Sequence, residues 1–105
     1  MGKKWVVGDR YGNRIYLTHE RWQHTIENHP EMKSYSDYLK ETIKTGKRYQ
    51  DPLDPRKYRY VKYFEDLVWG NNHIVSIVLF KIDIDKDGNT VENNFVLTAY
   101  QKSIK

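Results

Sequence analysis

Seven consecutive residues, Ile74-Val75-Ser76-Ile77-Val78-Leu79-Phe80, are apolar but for one small hydroxyl. The run is short and rich in β-branched side chains, so it reads as a strand. Being apolar on both faces, it belongs in the middle of a sheet, covered on at least one side by helices. The predicted strand covers His73 to about Asp83. Two more strands are expected beside it, Arg56 to Phe64 and Asn93 to about Lys102. The segment Asp85-Lys86-Asp87-Gly88-Asn89 has strong hairpin-turn chemistry and joins the last two.

The first half of the chain supplies the helices. Trp5-Val6-Val7 and Arg14-Ile15-Tyr16-Leu17 flank Gly8-Asp9-Arg10-Tyr11-Gly12-Asn13, which predicts a short hairpin. Thr18 is a good N-cap, and Glu20 falls in the first turn, where the helix dipole favours an anion. Leu17 and Trp22 sit at the positions of a hydrophobic staple. Pro30 disfavours helical geometry at His29 and ends the helix there. A second helix is predicted over Ser36 to Thr45, with Tyr35, Tyr38, Leu39, Thr42 and Ile43 as its inner stripe. Gly46 then fits the position just past a helix end. The prolines and aspartates of Asp51-Pro52-Leu53-Asp54-Pro55 predict irregular chain. The expected architecture is α+β: an N-terminal short hairpin, two helices, then an antiparallel sheet.

A length of 105 residues suits one domain, residues 1–105. Nine Tyr, three Trp and three Phe must fill much of its core. The net charge of +4 favours anionic partners. Lys47-Arg48-Tyr49 and Arg56-Lys57-Tyr58-Arg59-Tyr60-Val61-Lys62-Tyr63 interleave cations with aromatic rings. Cations meet phosphates and rings stack on unpaired bases. The alternative is a strand with one solvated cationic face. With no cysteine, a disulfide framework, a thiolate zinc site and thiol chemistry are excluded, and a cytoplasmic location is permitted. No apolar run approaches a membrane span, and residues 1–8 do not read as a signal peptide. Gly2 is not followed by a Ser or Thr at position 6, so myristoylation is not indicated.

Three constellations are candidates for chemistry. In Glu27-Asn28-His29-Pro30-Glu31, a histidine stands at a helix C-terminus, where it can act as a general acid or base or simply close the helix beside Ile26. His19, His24 and His29 recur every five residues, about 140° apart around a helix, so they form no metal face. In the last predicted strand, alternation puts Val96, Thr98, Tyr100 and Lys102 on one face and Phe95, Leu97, Ala99 and Gln101 on the other. A hydroxyl, a phenol and an ammonium in a row can hold a phosphate, or can be the polar outer face of a half-buried sheet. The third, Asp83 to Asn89, copies the first half of a calcium loop, but its twelfth position is Asn94 rather than Glu; a plain turn is the better reading. No cofactor motif is present.

The stretch Ile15 to Glu31, with Leu17-Thr18, Arg21-Trp22, His24 and His29-Pro30-Glu31, resembles the opening of a phage and bacterial nuclease family of the Barnase–EndoU–Colicin–RelE-like superfamily. The close Val96-Leu97-Thr98-Ala99-Tyr100-Gln101-Lys102 is similar to that family's closing strand. The similarity runs from about Ile15 to Lys102. It departs at Asn28, where an arginine is common. The resemblance implies a metal-independent endoribonuclease, toxin-like or phage-borne, acting on RNA with tRNA among the candidate targets, and opposed by an immunity or antitoxin protein. Cleavage would use the 2′-OH of the RNA as nucleophile, so the protein needs no Ser or Cys. The expected catalytic residues are His29, His24, Thr98 and Tyr100. Arg59, Lys62, Lys102 and Tyr60 are the expected substrate contacts. Two other functions are compatible with the residues: a non-catalytic nucleic-acid-binding domain of this fold, and a protein-interaction domain. The nuclease reading carries a geometric condition: either His29, at the helix end, reaches round the sheet edge to Thr98 and Tyr100, or the core face of the last strand is the reverse of the one expected.

Overall fold

The computed structural model describes residues 2–105. The chain runs through β1 (Lys3–Gly8), β2 (Arg14–Thr18), α1 (His19–Asn28), a 3₁₀ turn (Pro30–Met32) and α2 (Ser36–Thr45). It continues through β3 (Lys47–Gln50), β4 (Lys57–Tyr63), β5 (His73–Leu79), β6 (Ile82–Ile84), β7 (Thr90–Glu92) and β8 (Asn94–Lys102). Six strands form one sheet in the order β1-β2-β8-β5-β4-β3, while β6 and β7 pair only with each other. The fold is α+β, with two helices and a mostly antiparallel sheet.

Both helices obey their local signals. Thr18 Oγ1 accepts from Arg21 N at 3.0 Å, and His29, the residue before Pro30, closes α1. Leu39, Thr42 and Ile43 of α2 are buried against the sheet, with Tyr35 and Tyr38 packed at the rim of the core. At Gly46 the expectation needs correcting. Its φ of −71° and ψ of 164° are extended, not left-handed. Glycine is required there for room. A Cβ would stand 2.4 Å from the Thr42 carbonyl oxygen and 2.8 Å from that of Val61, where α2 turns directly into β3.

The apolar run lies centrally, between β8 and β4. Ile74, Ser76 and Val78 face the helices, and with Ile15, Leu17, Leu39, Tyr60 and Ala99 they are buried in or beside the core. The opposite face of the sheet carries no helix. Val75 is nonetheless only 2% exposed there, between its register partners Val61 and Tyr100.

Four features differ from the sequence expectation. Lys47–Gln50 forms an edge strand antiparallel to β4. β8 leaves the meander to lie parallel to β2, through Ile15–Asn94 and Tyr16–Phe95. The stretch predicted as the tail of β5 is a separate small hairpin, β6–β7, in which Asp85 Oδ1 accepts from Asp87 N and Asn89 N. Finally, β8 bulges. Ile77 pairs with Thr98 and the next residue, Val78, pairs with Val96, so Leu97 is the extra residue. A bulge reverses alternation. Val96 is therefore fully buried with Ala99 on the helix side, rather than on the face of Thr98 and Tyr100.

Candidate active site

Thr98, Tyr100 and Lys102 of β8 stand on the open face, opposite Ile77, Val75 and His73 of β5. Beside Val75 and His73 lie Val61 and Tyr63 of β4; Arg59 pairs with Ile77 and, on its other side, with Tyr49 of the edge strand β3. Among these, Val61 and Val75 form the apolar floor of a cleft of about 350 Å³. Tyr49, Arg59, His73, Tyr100 and Lys102 stand around it, and Ile104 closes one end. The Arg59 guanidinium lies 5.3 Å from the centroid of the Tyr49 ring, a cation–aromatic pair that leaves its N–H groups available. The His73 ring meets Tyr63 edge-on at 5.6 Å.

His29 approaches this face from the side. Beyond Phe95, β8 has no strand partner on its β2 side, and the 3₁₀ turn fills that edge. Glu31 anchors the turn. Its carboxylate accepts from Gln101 N at 3.2 Å, and its carbonyl accepts from Gln101 Nε2 at 3.1 Å. With the turn held there, the backbone of His29 leaves helical geometry (φ −133°, ψ 74°) and its ring lies 5.5 Å from the Tyr100 ring, centroid to centroid. The condition posed by the sequence is met by the first of its two routes: His29 reaches round the edge of β8. Its side chain is 35% exposed, and its Nδ1 lies 3.8 Å from the Glu31 carboxylate, an ion pair when the ring is protonated.

His29, Tyr100, Lys102 and Arg59 thus share one face and its rim. Thr98 lies one position further along that face, half-buried, with its carbonyl accepting from Ser76 Oγ. Three expected residues do not join them. His24 is exposed on α1, about 140° around the helix from where a helical His29 would point. Tyr60 is fully buried on the helix side. Its hydroxyl donates to the buried Asp9 carboxylate, which also pairs with Arg48 at 3.5 Å, so Tyr60 is a core residue that no substrate can touch. Burial first, and then the bond to Asp9, hold its phenol well above the ordinary value. Lys62 pairs with the buried Ile74, and its ammonium lies 5.9 Å from the Phe64 ring. It borders, with Lys47 and Arg10, a groove at the sheet edge that adjoins the cleft through Tyr49, Val61 and His73.

Two residues of the cleft are not among the expected site residues. His73 opens a strand whose apolar run draws all attention, and Tyr49, though part of a cation/aromatic stretch, belongs to the unforeseen β3. A second cleft, about 290 Å³, lies by Lys3, Arg14 and Tyr16. It contains the Glu92 carboxylate, already bonded to Asn13 and Asn94, and no histidine, which suits a phosphate poorly. Among the described residues, no three His, Asp or Glu side chains group as metal ligands, and no helix is long and apolar enough to cross a membrane. No family model, curated protein or solved structure matches the chain.

Proposed function

We propose that the chain is a metal-independent endoribonuclease of Barnase–EndoU–Colicin–RelE-like fold, acting in the cytoplasm of a bacterial cell as a toxin-like or phage-borne enzyme. The observation that carries this reading is the meeting of His29 with Tyr100 at the rim of a cleft walled by Arg59 and Lys102. Such a set can perform cleavage that uses the RNA's own nucleophile. The 2′-OH gives up its proton to a base, its oxygen attacks phosphorus, and the bond to the 5′ oxygen breaks. That leaving oxygen takes a proton from an acid. The products are a 2′,3′-cyclic phosphate and a 5′-hydroxyl. His29 transfers a proton in this scheme. Tyr100, Arg59 and Lys102 hold the non-bridging oxygens, whose charge grows in the transition state. Tyr49 offers a ring on which an unpaired base can stack. An immunity or antitoxin protein would act by covering the open face.

The test is incubation of the pure protein with tRNA and with total RNA in EDTA, beside His29→Ala. The expected result is cleavage by the wild type, leaving cyclic phosphate ends, and a loss of about 10²–10⁴-fold in the variant. Intact RNA with the wild type, or equal cutting by both proteins, would refute the reading. Salt-dependent binding without turnover would favour a non-catalytic RNA-binding domain instead.

A further inference from the structure

His73 is the second imidazole of the open face, and the groups around it define which of its nitrogens carries the proton. Its Nδ1 lies 2.7 Å from Asn72 Oδ1. An amide side chain can in principle be turned either way round, but here its orientation is fixed by the chain end. Ile104 N donates to Asn72 Oδ1 at 2.8 Å, and Asn72 Nδ2 donates to the Ile104 carbonyl at 2.8 Å. Turning the amide over would set N–H against N–H and oxygen against oxygen. Oδ1 is therefore the acceptor, and the neutral His73 ring must carry its hydrogen on Nδ1. Nε2 is left with a lone pair, and among the described residues nothing hydrogen-bonds to it. The edge-on Tyr63 ring limits rotation of the imidazole.

His73 is in register with Lys102 and diagonal to Tyr100, a separation of about 7–8 Å between neighbouring strands. His29 lies against Tyr100 from the other side. Tyr100 therefore stands between two imidazoles, one at the edge of β8 and one on β5. We propose that His73 is the general base of the cleavage, taking the 2′-OH proton on Nε2, and that Asn72 is its positioning residue, clamped by the Ile104 backbone. His29 then supplies the proton to the leaving 5′ oxygen. This rests on the ribonuclease reading. It adds a catalytic residue, a division of roles and a tautomer set by the C-terminal segment.

Two measurements on the full chain test it. The first reads the His73 ring nitrogens by long-range ¹H–¹⁵N NMR, at a pH where the ¹⁵N shifts themselves show a neutral ring. The expected pattern is Nδ1–H in the wild type and in Asn72→Asp, which keeps the acceptor, and a loss of that preference in Asn72→Ala. The second compares RNA cleavage. His73→Ala should lose about 10²–10⁴-fold in kcat. Asn72→Ala should lose part of that factor and Asn72→Asp should recover most of it. An Nε2–H tautomer in the wild type would overturn the proposal without reference to activity. Undiminished cleavage by His73→Ala, in a preparation where His29→Ala is inactive, would overturn the proposal while leaving the ribonuclease reading intact. Absence of cleavage by the wild type would overturn both.

Discussion

On the helix-covered face of the sheet, Arg48 of β3 and Tyr60 of β4, a cation and a phenol, are tied to one buried carboxylate. One residue along the same strands, on the open face, such groups are left unspent. Tyr60 gives its hydroxyl to Asp9, and Arg48 pairs with the same carboxylate while lying 4.3 Å from the Tyr11 ring and 4.7 Å from the Tyr58 ring. Arg59, one step before Tyr60 on β4, meets only the Tyr49 ring, and among the described residues neither Arg59 nor Lys102 joins an ion pair. Identical residue types serve stability on one side and stay available for a ligand on the other. Alternation along a strand makes this division, because each step of one residue exchanges faces.

The largest test of the contrast is on the covered face. Asp9 accepts from Tyr11 N, Asn13 N, Arg48 and Tyr60, and its side chain has no exposure. Asp9→Ala should cost about 3–5 kcal/mol in urea unfolding followed by tryptophan fluorescence, because three donors and the half-buried Arg48 cation lose their partner. A cost below about 1 kcal/mol would mean that the network is ornamental and that the two faces do not differ.

On the open face the expected effects reverse. Arg59→Ala and Lys102→Ala should each leave unfolding free energy within about 0.5 kcal/mol of the wild type. Each should flatten the plot of log binding constant against log salt for single-stranded RNA by about 0.7, the share of one phosphate contact. Large destabilisation by either would show that these cations are structural, like Arg48.

The smallest effect is a pH dependence. Burial raises the Tyr60 phenol above its ordinary value of about 10. The unfolded chain therefore loses this proton first as pH rises. The contribution is complete below about pH 10 and is lost as pH climbs from there toward the raised folded value. Unfolding free energy should fall above pH 10, by at most about 1.4 kcal/mol per pH unit from this group. Tyr60→Phe should remove that part of the slope. An unchanged slope in the variant would contradict this assignment and point to Tyr38, whose phenol is also raised, by its bond to Asp66.

Much of the fold is written locally. Thr18, the His29-Pro30 pair and the stripe through Leu39 and Ile43 act within a few residues of themselves, so both helices are legible. The features that escape are set by distant partners. The edge strand Lys47–Gln50 is too short and polar to show an apolar period, and it exists because β4 offers a free edge. The bulge at Leu97 answers a mismatch with β5 that β8 alone cannot reveal. Within the site, Tyr100, Lys102 and Arg59 follow from alternation, and His29 follows from the proline after it. Tyr60 and Arg59 differ by a single step. A basic aromatic strand does not say which face the helices will cover, which is why Tyr60 reads as a contact until Asp9 is seen beneath it. His73 is hidden for the converse reason, since its role depends on Lys102, Tyr100 and Ile104 brought from the other end of the chain.

The central claim is that the open face beside His29 is where RNA binds. The most direct measurement is an amide and imidazole NMR titration with a short single-stranded RNA whose 2′ positions are methylated, which binds but lacks the nucleophile. The predicted shift changes fall on Tyr49, Arg59, His73, Tyr100 and Lys102 and on the ring of His29, and leave α2 and Tyr60 unmoved. Changes confined to the helix-covered side, or none at concentrations where the oligonucleotide saturates, would contradict the account.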